Sequence, residues 1–158
     1  MKTETVNYQA TDIELEGYVA YPDEEKAPLV LIVHTWAGKD DFVHERAEDL
    51  AALGYVGFAV DMYGNGKVGS NTEENQSLMA PLLSDRNVLK DRITSALNFG
   101  KSLPGVDPNK VAAIGYCLGG LVVLDLARSG ENFQGLVSFH GLLMGSDISE
   151  KGIQAKIL

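Results

Sequence analysis

Residues 113–120 read Ala113-Ile114-Gly115-Tyr116-Cys117-Leu118-Gly119-Gly120. An apolar run, Val111–Gly115, leads without a linker into an apolar helical stretch, Leu118–Ser129, that Gly130 closes. The corner holds a nucleophilic side chain flanked two positions either side by glycine, which is the G-x-nucleophile-x-G elbow. Cysteine stands where serine is more usual. The glycines have a steric reason: so sharp a turn strains the backbone at position 117, and side chains at 115 and 119 would collide with neighbouring backbone. The thiol then stands at a helix N-terminus, where the positive end of the helix dipole favours negative charge.

Working outward, Leu29–Val33 is apolar at every position, as in a strand covered by helices on both faces. The loop His34–Asp40 follows, then a helix with Asp40 or Asp41 as its cap and Val43, Ala47, Leu50 and Ala51 on one stripe. Tyr55–Asp61 is a second buried strand, and the loop Met62–Ser70 carries Gly64, Gly66 and Gly69. Asn71 with Glu74 starts another helix, and a longer one over Ser84–Leu103 ends at Pro104-Gly105. Leu136–Phe139 reads as a fourth strand. Residues 4–21 differ: their alternation of apolar and polar side chains about Ala10-Thr11-Asp12 is that of a β-hairpin.

Strands alternating with helices at this spacing predict an α/β fold, a doubly wound, mostly parallel sheet with right-handed crossovers and an N-terminal antiparallel hairpin. The 158 residues form one domain, 1–158, of a size that buries roughly 68–70% of its unfolded surface. Gln154–Leu158 reads as the entry to a further strand, so the expectation is a domain whose C-terminal part is missing, with a C-terminal segment or companion fragment to complete it.

Charge and composition narrow the function. A net charge of −9 opposes binding to phosphate backbones and anionic lipid, so neither nucleic acid nor membrane is expected as a partner. One cysteine excludes a disulfide framework and any multi-cysteine zinc site. No apolar run approaches membrane length, and Met1-Lys2-Thr3-Glu4 lacks the apolar core of a signal peptide, which predicts a cytoplasmic protein. A dinucleotide fingerprint would need G-x-G-x-x-G, and the spacing of Gly115, Gly119 and Gly120 does not supply it. The competing reading of Cys117 is a small buried hydrophobe or a redox-sensing thiol on the same scaffold.

These residues resemble the dienelactone hydrolase family of α/β-hydrolases over nearly the whole chain. The resemblance rests on the elbow Gly115–Gly120, the strand end Asp61-Met62-Tyr63-Gly64, the loop His34–Gly38 and the segment Ser138-Phe139-His140-Gly141. It implies an α/β-hydrolase fold and hydrolysis of a small-molecule ester or lactone through a thioester acyl-enzyme, with no metal and no organic cofactor. Cys117 would be the nucleophile of a Cys-His-Asp triad, and the backbone N–H groups of Trp36 and Leu118 the oxyanion hole. Thr35, Tyr63 and His140 would line the pocket.

Three departures from the family pattern stand out. The triad's Asp and His follow the nucleophile in later loops, which this chain does not reach. Thr35 occupies the position where the family commonly has a glutamate that handles the thiol's proton, and a threonine hydroxyl cannot act as that base. The arginine that holds the carboxylate of dienelactone has no counterpart: between Gly64 and Leu83 the only cation is Lys67. Of the histidines, His34 and His44 precede the nucleophile and His44 reads as solvated. His140 reads as pocket wall, Asp125 points away from the rim, and the other acidic residues read as solvated surface.

Overall fold

The computed structural model describes residues 1–146 and 152–158. Two strands, β1 (Lys2–Gln9) and β2 (Glu14–Tyr21), form the expected hairpin, paired in full register from Lys2↔Tyr21 to Gln9↔Glu14. The parallel strands follow: β3 (Ala27–Val33), β4 (Val56–Val60), β5 (Val106–Tyr116) and β6 (Gly135–Phe139), with a two-residue β7 (Lys156–Ile157) at the edge. Their order across one sheet is β1-β2-β4-β3-β5-β6-β7. Among the named strands of the described residues, β1–β2 and β2–β4 pair antiparallel and the other neighbours pair parallel.

The helices are α1 (Asp41–Ala52), α2 (Thr72–Ser84), α3 (Arg86–Ser102) and α4 (Leu118–Arg128). Alternation along β3 separates two cores. Leu29, Leu31 and Val33 join the larger one beneath α3 and α4, while Ile32 packs with Val43, Ala47 and Ala51 of α1 on the opposite face. A strand with both faces covered has no place for polar residues, which explains the unbroken apolar run. At Gly57 of β4, an added Cβ would strike the backbone of Ala47, so α1 lies directly on the sheet there.

The ends of the elements refine the sequence expectation. The long helix begins at Arg86, because Asp85 leaves helical geometry and accepts from the N–H groups of Asn87 and Val88 as the cap of α3. Asp40 occupies the N-cap of α1, yet its side chain makes no capping bond. Strand β5 starts five residues early, at Val106, with an irregularity opposite Pro28/Leu29. Asn71 does cap α2, accepting from Glu74 N–H at 2.9 Å, as its sequence context requires.

Candidate active site

The parallel strands β3, β4, β5 and β6 end on one rim, where the loops 34–40 and 61–70 meet the N-terminus of α4. At the corner between β5 and α4, Cys117 has φ 55 and ψ −110, a left-handed conformation that costs a non-glycine residue about 1–3 kcal/mol. Its surroundings hold it there. The Cys117 N–H donates to Phe139 O at 2.9 Å, and Gly120 N–H donates back to Cys117 O at 3.0 Å. Tyr116 and Phe139, the last paired residues of β5 and β6, stack with centroids 5.0 Å apart. A Cβ at Gly115 would overlap the carbonyl of Gly119, and one at Gly119 would overlap the carbonyl of Val33. The turn is therefore as tight as the sequence pattern requires, and the thiol remains partly exposed.

The Leu118 N–H, at the head of α4, has no carbonyl of the helix before it to accept it. Leu118 itself is fully buried. The second loop is fixed from inside by His34, which is also fully buried. Its Nε2 accepts from Met62 N–H at 3.1 Å, so the ring proton lies on Nδ1 and is donated to Thr35 O at 2.5 Å. Burial above all pushes the His34 imidazole below the ordinary histidine range, and it stands as a neutral ring. Thr35 O and Trp36 N–H belong to the same peptide unit, so His34 sets the direction of the Trp36 N–H. Thr35 Oγ1 accepts from Ala37 N–H at 3.2 Å, a local turn cap.

Tyr63 completes the loop. Its hydroxyl donates to Trp36 O at 2.7 Å. Burial first, and then the neighbouring Cys117 charge, push its phenol above the ordinary range, so it stays a protonated donor. The sequence reading missed the partner beneath it. Asp61, fully buried, accepts from the N–H groups of Tyr63 and Gly64 through Oδ1, and from Gly66 and Glu16 through Oδ2, at 2.8–3.1 Å. It is no surface carboxylate: a buried charge is tolerable because four amides solvate it. A lone Asp at the end of an apolar strand, before a glycine-rich loop, was the available signal.

His140 is exposed with φ 55, one residue past the carbonyl that holds Cys117 N–H. Asp125 is fully buried inside α4, paired with Arg86 Nε at 2.6 Å and Arg128 at 2.8 Å, away from the rim. His44 is half-buried rather than freely solvated: it stacks on Tyr18 with centroids 4.3 Å apart and lies 3.3 Å from Lys39 Nζ. Among the described residues, no group of three or more His, Cys, Asp or Glu side chains is placed to hold a metal ion, and no helix is long and apolar enough to cross a membrane.

The chain as a whole is similar to known proteins. Residues 15–158 match the model of the dienelactone hydrolase family. The chain belongs to the dienelactone hydrolase family. Within that family, two solved structures superpose over 99% of the chain at 31% identity: "m3DLH", with a TM-score of 0.94, and a dienelactone hydrolase-like promiscuous phosphotriesterase from metagenomic libraries, at 0.93. A Yersinia pestis protein named "Putative carboxymethylenebutenolidase" is 30% identical over 137 residues, 84% of this chain. The chain spans 51% of that relative's length and 66% of each of the two solved structures.

Proposed function

We propose that this dienelactone hydrolase family member hydrolyses small carboxylic esters or lactones, with Cys117 as nucleophile. The observation that carries the reading is the backbone of Cys117. Strain at φ 55 and ψ −110 is held by the surrounding contacts, and it stands at the corner between the end of β5 and the head of α4. In the proposed step, the thiolate sulfur bonds to the substrate's carbonyl carbon and the carbonyl oxygen becomes an oxyanion. The N–H groups of Trp36 and Leu118 donate to that oxyanion. Collapse breaks the ester C–O bond, the alcohol leaves with a proton from the histidine, and water then cleaves the thioester.

The general base of this reading is none of the three histidines in the chain. Both ring nitrogens of His34 are engaged, His44 lies against Lys39, and His140 belongs to the pocket wall with Thr35 and Tyr63. We assign the base and its acidic partner to the part of the domain that the longer relatives have and this chain does not span. The test is turnover of a simple aryl ester by the protein carrying that part, beside thiol alkylation against pH. Turnover that Cys117→Ala abolishes supports the reading. A reactive thiol without turnover overturns it in favour of a redox-sensing thiol.

A further inference from the structure

Lys39 is 5% exposed, an unusual state for a lysine. It directly follows the loop 34–38, and that loop is docked on its neighbour through Gly69 N–H to Ala37 O at 2.7 Å and a bridge between Gly38 and Val68. Its ammonium has two polar partners. Glu16 Oε1 of β2 lies 3.4 Å away and His44 Nε2 of α1 lies 3.3 Å away. Glu16 in turn abuts the second rim loop: its N–H donates to Asp61 Oδ2, and a Cβ on Gly66 would come within 2.6 Å of its carboxylate. Lys39 therefore ties three segments of the rim together beside Trp36.

An ammonium donates and cannot accept, so the 3.3 Å contact requires the lone pair of a neutral imidazole at His44 Nε2. The ring's other nitrogen faces Asp41 Oδ1 at 3.9 Å, and its face stacks on Tyr18, whose hydroxyl is held by Glu48 at 2.5 Å. Asp40, Asp41 and Glu48 favour a charged ring. Burial and the Lys39 charge oppose it and prevail, which holds His44 below the ordinary histidine range.

We propose that Lys39 is a positioning residue for the loop that presents the Trp36 N–H, and that neutral His44 is the acceptor that keeps its ammonium in place, so the loop responds to pH through this one contact. Protonating His44 replaces the acceptor with a donor and sets two cations against each other. Lys39 then loses one of its two anchors and the loop loses its brace. The catalytic meaning of the brace rests on the oxyanion role proposed above for Trp36; the pH response of the loop does not.

Trp36 is the chain's single tryptophan, so its fluorescence reports on this loop alone. The experiment follows Trp36 emission from pH 7.5 to 5 in the parent, His44→Gln and Lys39→Met, with circular dichroism to show that each is folded. The parent is expected to show a transition below pH 6.5. His44→Gln, whose amide oxygen accepts at every pH, is expected to lack it. Lys39→Met should show the acid-type emission already at pH 7.5. An identical transition in His44→Gln, or none in the parent, overturns the proposal, and His44→Gln decides the matter should Lys39→Met fail to fold. In the esterase assay, Lys39→Met should lower kcat on the order of tenfold to a hundredfold with little change in KM, and His44→Gln should move the acid limb of kcat to lower pH. A His44-dependent emission change without ester turnover defeats the hydrolase reading alone. Turnover with an acid limb and emission both indifferent to His44→Gln defeats this one alone.

Discussion

The amide of Cys117 donates to the carbonyl of Phe139 at 2.9 Å, so the strained corner of one strand is pinned by the end of the next. Because β5 and β6 are paired up to Tyr116↔Phe139, the pin is the last rung of a ladder rather than an isolated bond. Strain at position 117 is therefore borne by the sheet.

Under the proposed chemistry, Cys117→Ala and Cys117→Gly should both lose ester turnover, by at least about 10³-fold. They should differ in stability. Alanine keeps a Cβ at φ 55, whereas glycine adopts that conformation freely, so the glycine variant is expected to be more stable than the alanine one by about 1 kcal/mol in urea denaturation. Equal midpoints would show that the corner carries little strain.

Gly119→Ala tests the closeness of α4 to β3. The new methyl would meet the backbone carbonyl of Val33, which cannot rotate away as a side chain would. We expect a loss of roughly 2–3 kcal/mol, read from the denaturation midpoint.

Asp61→Asn replaces one accepting oxygen with a donor facing N–H groups, and no rotamer satisfies all four amides. The expected loss is about 2–4 kcal/mol, with faster amide hydrogen exchange at Tyr63, Gly64 and Gly66. Unchanged exchange there would remove Asp61 from the support of the rim.

Thr35→Glu introduces a carboxylate at position 35 and removes the turn cap on Ala37. If the position handles the thiol's proton, the acidic limb of the pH–rate profile and the alkylation rate of Cys117 should both change. If both stay at the parent values in a folded variant, Thr35 only caps the loop.

Stability should fall on mild acidification. His34 and His44 both titrate below the ordinary histidine value in the folded chain, so the unfolded chain binds their protons first. Stability is full above the unfolded value near 6.5 and declines as pH drops through it, with a limiting slope of about 1.4 kcal/mol per pH unit for each histidine. Urea midpoints between pH 7.5 and 5.5 check this, and His44→Gln should roughly halve the slope.

The sequence by itself determined the order of elements and the elbow. Unbroken apolar runs such as Leu29–Val33 admit only strands covered on both faces, and the spacing of Gly115 and Gly119 around Cys117 admits only a tight strand-to-helix turn. Those are local constraints, legible in consecutive residues. The tertiary structure alone decided what long-range partners decide: Asp61 is buried with the amide of Glu16, 45 residues away in the chain, among its donors. His44, polar and on an amphipathic helix, is read as solvated from its own neighbours. It lies instead between Tyr18 and Lys39, since β2 and the rim loop converge on it from positions distant in the chain. Burial of a polar side chain depends on which partners the fold delivers, and periodicity in one segment carries no record of them.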